Sequence, residues 1–129
     1  MNSSNLVIVA DDDPTICHAL KRYLNRMGFE VKTLSNGFEV LLTCLYCVPA
    51  LIISDIRMPK LDGLFLLKAL RNNQNTGQVP VIFVSAVKDE RVLEKAMEMG
   101  AANFLIKPFR LEDLEKAVDS ALCQEYYIG

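Results

Sequence analysis

The 129-residue chain has no tryptophan, a single histidine and a net charge of only −2 at pH 7. Such a near-neutral balance argues against a nucleic-acid-binding surface, which needs an excess of basic residues. No run of about 18 apolar residues occurs, so no membrane span is predicted. Residues 1–5 lack both the basic flank and the apolar stretch of a secretion signal. We therefore expect a cytoplasmic location.

Cysteine is also sparse, with four residues at irregular positions. This number and spacing do not match the disulfide framework of a small secreted domain. Cys44 and Cys47 have a redox-type spacing, but they fall late in an apolar helical pattern, whereas a redox pair belongs at a helix N-terminus. No second pair of ligands accompanies them, which disfavours zinc. We interpret them as ordinary half-buried thiols.

Five short apolar, β-branched runs alternate with five helical patterns along the chain. Three of the runs are apolar on both faces, which is typical of parallel strands covered by helices above and below. The run over residues 30–34 alternates instead, as expected for an edge strand. The predicted strands are 6–10, 30–34, 50–54, 81–84 and 103–106, and the predicted helices are 14–27, 37–47, 63–72, 88–99 and 111–124. This alternation predicts an α/β fold of five βα units.

The length and the unbroken alternation predict one domain over residues 1–129, with a core over about 6–124. Residues 125–129, EYYIG, are unusually aromatic for a free end. Two interpretations stay open for this tail: a final packing contact, or the stub of a linker to a further domain.

Polar residues stand at the carboxyl end of four predicted strands: Asp11 and Asp12, Asp55, Ser85 and Lys107. In a parallel sheet these ends share one edge, where ligands bind. Three carboxylates, a hydroxyl and an ammonium would therefore meet in one pocket. Such a set suits a divalent cation together with a phosphoryl group.

Within this pocket, Asp12 and Asp55 are candidate ligands of Mg²⁺, a hard ion that prefers oxygen. Asp55 is also a candidate nucleophile, since a carboxylate can attack phosphorus to give an aspartyl phosphate. Asp13 is assigned a structural role as the N-cap before Pro14. His18 is predicted to lie on a solvated helix face, and the sequence contains no catalytic triad that could use it.

Four segments in order resemble a known family: VIVADDDP at residues 7–14, SDIRMPKLDG at 54–63, VSA at 84–86 and GAANFLIKPF at 100–109. On these motifs the chain resembles a response regulator receiver domain of two-component signal transduction, of the chemotaxis-regulator-like superfamily. The resemblance covers nearly the whole chain. It implies a (βα)₅ doubly wound, flavodoxin-like sheet in the order 2-1-3-4-5.

The resemblance also implies how the pocket is used. Asp55 would be the phosphoacceptor, taking its phosphoryl group from a phosphohistidine of a partner kinase. Mg²⁺ would be held by Asp55, the backbone carbonyl of Arg57 and the two acids at 11 and 12. Ser85 and Lys107 would bind the phosphoryl oxygens.

A switch is implied as well, in which Ser85 and Lys107 are drawn toward the new phosphoryl group and Phe104 fills the space they leave. Phe104 stands at the aromatic switch position of the family. Its movement would change the surface made by the fourth helix, fifth strand and fifth helix. The chain departs from the commoner family pattern by having Ser at 85 and Phe, without a hydroxyl, at 104.

The partners implied are a sensor histidine kinase or phosphotransfer protein and a downstream effector or fused output domain. The resemblance leaves room for a phosphorylation-dependent dimer, and it implies no direct nucleic-acid or membrane contact. The domain would not be an enzyme in the usual sense, but a phosphoacceptor that catalyses its own phosphorylation and dephosphorylation. Three other readings remain: a Mg²⁺-dependent phosphatase with an outside substrate, a flavin-binding module, and a degenerate receiver that only docks.

Overall fold

The computed structural model describes residues 5–123, which alternate between strand and helix. The strands are β1 (Leu6–Ala10), β2 (Glu30–Leu34), β3 (Leu51–Ser54), β4 (Val81–Ser85) and β5 (Asn103–Ile106). The helices are α1 (Pro14–Arg26), α2 (Gly37–Cys44), α3 (Gly63–Arg71), α4 (Glu90–Glu98) and α5 (Leu111–Cys123). All strand pairs are parallel, and the sheet order is β2-β1-β3-β4-β5. The predicted (βα)₅ fold and strand order are confirmed.

Two separate cores lie on the two faces of the sheet, because successive side chains of a strand point in opposite directions. Val7 and Val9 of β1 face a core completed by α1 and α5. Leu6, Ile8 and Ala10 face the other core, completed by α2, α3 and α4. All residues of β1, β3 and β4 are buried, whereas β2 at the sheet edge is half-exposed, as its alternating sequence predicts.

Helix α2 is shorter than predicted, since it ends at Cys44 instead of residue 47. The N–H of Leu45 donates to the Leu42 carbonyl at 3.2 Å, and that of Tyr46 to the Thr43 carbonyl at 3.0 Å. These i−3 bonds tighten and end the helix. The apolar residues that made the sequence look helical here are exposed and add nothing to the core: Leu45 is 68% and Tyr46 90% accessible.

Side-chain caps fix where α1, α3 and α4 begin. Asp13, the predicted N-cap of α1, accepts the N–H of Thr15 at 2.9 Å. Asp62 caps α3 by accepting the N–H of Phe65 at 3.0 Å. Helix α4 begins at residue 90 instead of the predicted 88, because Asp89 is its N-cap.

The predicted tail, residues 125–129, lies outside the residues that the structure describes, so both interpretations of it stay open. Within residues 5–123, none of the helices has the length and apolar character needed to cross a bilayer.

Candidate functional site

Three carboxylates meet at the carboxyl edge of the sheet. Strands β1 and β3 are neighbours in register, with Ala10 opposite Ser54, so Asp11 and Asp55 follow directly at the same level. Asp12 comes next along the chain. Asp11, Asp12 and Asp55 each offer a carboxylate oxygen, and these oxygens all lie within 4.8 Å of one another. Like charges this close repel, and a cation between them relieves the repulsion.

Asp11 is the most firmly held of the three. Its side chain is almost fully buried, and its backbone N–H donates to the Leu34 carbonyl at 3.1 Å. Its Oδ1 accepts the backbone N–H of Asp13 at 2.9 Å. Burial raises the pKa of the Asp11 carboxyl, and a hydrogen bond from Lys107 opposes that rise in part.

Lys107 bridges two of these carboxylates across the sheet edge. Its Nζ lies 2.9 Å from Oδ2 of Asp11 and 3.2 Å from Oδ2 of Asp55. Burial by itself would lower the pKa of Lys107, but its contacts with the two acids outweigh burial and raise it. The three carboxylates and this one ammonium leave a formal charge of −2 in the pocket. The following Lys107–Pro108 peptide bond is cis.

Asp55 is positioned by the loop that connects β3 to α3. The N–H of Arg57 donates to Oδ1 of Asp55 at 3.3 Å. At the far end of the loop, the N–H of Gly63 donates to the Ile56 carbonyl at 2.7 Å. A Cβ at position 63 would lie 2.6 Å from the Asp55 carbonyl oxygen, so only glycine allows this close approach. Within the loop, Lys60 adopts a left-handed conformation with φ 70°.

Ser85 and Phe104 lie on the neighbouring strands β4 and β5. Ser85 is buried, and its hydroxyl accepts the N–H of Val87 at 3.3 Å. The Ser85 carbonyl accepts the backbone N–H of Lys107 at 2.8 Å, which ties the ends of the two strands together. The half-buried ring of Phe104 contacts that of Phe83, with centroids 6.1 Å apart and planes tilted by 52°.

The structure thus brings Asp11, Asp12, Asp55 and Lys107 into direct proximity, whereas the Ser85 hydroxyl is engaged with its own loop. Two features were missed from the sequence. The Cys17 thiol lies 3.2 Å from the Asp11 carbonyl oxygen, and Gly63 packs on the backbone of Asp55. The Cys17 contact could have been anticipated, because a small residue follows the acidic loop by one helical turn.

The remaining candidates lie away from the carboxylate cluster or have no role in it. His18 is exposed, as predicted. Cys44 is buried and Cys47 is exposed beyond the end of α2, so neither is half-buried as expected. Burial raises the pKa of the Cys44 thiol to about 11. A raised pKa is the opposite of what a reactive redox cysteine requires.

An open cleft of about 560 Å³ lies beside the carboxylates. Asp11 and Asp12 form one side, and His18 and Lys21 of α1 and Glu39 of α2 contribute to the rest. Of these two acids Asp12 is exposed, so its carboxylate is accessible from this side to a group carried by another molecule.

Comparison with known proteins agrees with this geometry. The family model for the response regulator receiver domain matches residues 7–119. The chain is 39% identical over 120 residues to transcriptional regulatory protein PrrA of Mycobacterium leprae, covering 93% of this chain and 51% of that protein. It is 38% identical over 117 residues to the DNA-binding transcriptional regulator NtrC of Salmonella typhimurium, covering 91% of this chain and 24% of that protein. The chain therefore spans about half the length of the first relative and about a quarter of the second.

Solved structures give the same result. The receiver domain of the Francisella response regulator 1452 is 32% identical, with a TM-score of 0.84, and 93% of this chain and 98% of that one are covered. The chemotaxis response regulator CheY4 of Vibrio cholerae is 28% identical, with a TM-score of 0.85, and 93% of this chain and 100% of that one are covered. With its sheet order, its acidic cluster and these matches, this chain belongs to the response regulator receiver domain family of two-component systems.

Proposed function

We propose that this domain is a phosphorylation-dependent signalling switch in which Asp55 accepts a phosphoryl group in a Mg²⁺-dependent reaction. The observation that carries the proposal is the cluster of three carboxylates within 4.8 Å, two of them bridged by Lys107. Asp55 is the partly exposed member of the bridged pair, and it can meet an incoming donor. Asp11 is buried and serves to hold the site together.

The donor set fits magnesium. Asp11, Asp12 and Asp55 supply hard oxygen ligands, and the family resemblance adds the backbone carbonyl of Arg57. The pocket's formal charge of −2 is balanced by a divalent ion. When bound, magnesium supplies positive charge that neutralises the oxygens of the transferring phosphoryl group.

The proposed donor is a phosphohistidine on a partner histidine kinase or phosphotransfer protein. A carboxylate oxygen of Asp55 forms the new P–O bond as the P–N bond to the histidine breaks. The imidazole leaves with the bonding electron pair and takes up a proton. Lys107, whose Nζ is already 3.2 Å from Oδ2 of Asp55, follows the new negative charge onto the phosphoryl oxygens.

The same charge is proposed to drive the switch. The Ser85 hydroxyl oxygen accepts the Val87 N–H at 3.3 Å, and this bond does not use the hydroxyl proton, which can be donated to a charged phosphoryl oxygen. Movement of Ser85 and Lys107 would shift the ends of β4 and β5 together, because a backbone hydrogen bond joins these two residues. Phe104 lies on β5 against Phe83, so it relays the change to the surface made by α4, β5 and α5.

On this proposal the domain is not an enzyme with an outside substrate; it catalyses its own phosphorylation and dephosphorylation. Its partners are the kinase and a downstream effector or fused output domain, and its proposed location is the cytoplasm. A phosphorylation-dependent dimer belongs to the same proposal.

The experiment is intact-mass spectrometry after incubation with a small phosphodonor, with magnesium and with EDTA. We expect a gain of one phosphoryl group that requires magnesium and maps to the peptide containing Asp55. Asp55→Asn should abolish it. Asp13→Asn is the matched control, since it removes an acid from the same sheet edge but keeps a side chain that caps α1 equally well. Equal phosphorylation of Asp55→Asn and the unchanged protein would refute the proposal.

A further inference from the structure

The thiol of Cys17 lies unusually close to the acidic cluster. Cys17 is in the first turn of α1, where its N–H donates to the carbonyl of the N-cap Asp13 at 3.1 Å. Its side chain points inward, and the residue is 9% exposed. Its Sγ lies 3.2 Å from the carbonyl oxygen of Asp11 in a buried hydrogen bond. Sulfur is a weak donor, but this contact is short for one.

The accepting carbonyl belongs to the peptide that joins Asp11 to Asp12. Every other polar group of Asp11 is also fixed: its N–H by Leu34, Oδ1 by the N–H of Asp13 and Oδ2 by Lys107. The carbonyl is the group that sets the orientation of the next residue. Rotation of this peptide would move the exposed Asp12 carboxylate relative to the buried Asp11 carboxylate.

We propose that Cys17 is a positioning residue of the cation site, which acts by fixing the Asp11–Asp12 peptide so that both carboxylates face the same point. This inference rests on the proposed function, because it assigns the two acids to magnesium. Cys17 itself ligates nothing. Outer groups that orient metal ligands commonly affect affinity nearly as much as the ligands do.

A purely structural role is the competing explanation, because Cys17 also belongs to the core between the sheet, α1 and α5. The chain contains a matched control for it. Cys44 is buried to nearly the same extent, 7% exposed against 9%. It is the last residue of α2 and lies in the opposite core, which also contains residues of α3. Truncating either thiol to alanine removes the same atom from a core, but only Cys17 contacts Asp11.

The test compares Cys17→Ala, Cys17→Ser and Cys44→Ala by calorimetric titration with Mg²⁺, a method suited to a chain without tryptophan. We expect Cys17→Ala to weaken magnesium binding about threefold to tenfold, the equivalent of one hydrogen bond. Cys17→Ser keeps a donor, so its magnesium affinity should stay within about twofold of that of the unchanged protein. The magnesium affinity of Cys44→Ala should stay within the same twofold margin. Equal affinities for the two alanine variants would overturn the inference.

A second readout needs no metal. In magnesium-free protein, the amide resonance of Asp12 should shift in Cys17→Ala and stay in place in Cys44→Ala, because only the first variant frees the peptide. An unchanged resonance in Cys17→Ala overturns the inference. If the unchanged protein binds no magnesium at all, the proposed function fails, and the Asp12 resonance still decides whether Cys17 orients this peptide.

Discussion

Removing the ammonium of Lys107 is the most direct perturbation of the pocket. The change Lys107→Met keeps most of the stem and deletes the charge, so the formal charge of the pocket goes from −2 to −3. Two contacts are lost, at 2.9 Å to Asp11 and 3.2 Å to Asp55. Breaking a fully buried pair in this way costs about 3–5 kcal/mol.

The cost here should be smaller, since the side chains of Lys107 and Asp55 are 18% and 12% exposed. We expect the free energy of unfolding, measured with urea in EDTA, to fall by about 2–3 kcal/mol. On the proposed function, magnesium and Lys107 compete for the same carboxylates. At about 3 Å and the dielectric constant of water, one such contact is worth about 1.4 kcal/mol. Magnesium should therefore bind Lys107→Met at least about tenfold more tightly, and should restore much of the lost stability.

Lys116→Met is the control, because Lys116 is an exposed lysine of α5 and its removal changes the net charge equally. Its unfolding free energy should stay within about 0.5 kcal/mol of the unchanged protein. The reasoning is refuted if both variants unfold alike in EDTA, or if Lys107→Met binds magnesium more weakly than the unchanged protein.

Three further predictions concern the scaffold. Gly63→Ala should destabilise the protein by about 1–3 kcal/mol and weaken magnesium binding, since its Cβ would meet the Asp55 carbonyl. The control is Gly77→Ala, where the atom nearest to the new Cβ would be 3.2 Å away. Equal effects of the two changes would contradict this explanation. Burial raises the pKa of Cys44 from 9.0 to about 11, so the unfolded chain loses this proton first and unfolding becomes easier as pH rises from 9 to 11. The part due to Cys44 should reach about 2–3 kcal/mol, so the unchanged protein should lose more stability than Cys44→Ala in urea titrations across that range, and equal losses would contradict the prediction. Lys60→Gly should raise the unfolding free energy by up to about 1 kcal/mol, because Lys60 has a φ of 70°; a thermal scan showing no gain would argue against strain there.

Much of the fold follows from short-range patterns. The strand at residues 6–10 is apolar at every position, and a strand buried on both faces must lie inside a sheet covered by helices. That inference also places Asp11 and Asp55 at one edge without any knowledge of distances. The end of α2 could not be found in this way. Leu45 and Tyr46 are as apolar as a helix interior, and only the tertiary path to β3 leaves them exposed.

The details of the site depend on side-chain reach, which the sequence does not encode locally. Lys107 was predicted as a ligand of phosphoryl oxygens, and its contacts with two carboxylates did not appear in that interpretation. A long flexible ammonium goes to the nearest anions, and which anions are nearest depends on the packing of the whole sheet. The Cys17 contact was missed for a related reason, because it depends on how α1 packs against the sheet.

The order of the strands explains why the residue at the end of β4 is small. Strand β5, which ends at Ile106 just before Lys107, is separated from β3 by β4, and neighbouring strands lie about 4.8 Å apart. Lys107 therefore reaches Asp55 and Asp11 only by crossing the end of β4, helped by the twist of the sheet. The last residue of β4 is Ser85, which is buried and has a short side chain ending in a single hydroxyl oxygen. A long side chain there would stand in the path of the lysine and separate it from the acids. The size of the side chain at position 85 is thus limited by the path of Lys107. Its hydroxyl is required separately, by the proposed phosphoryl chemistry.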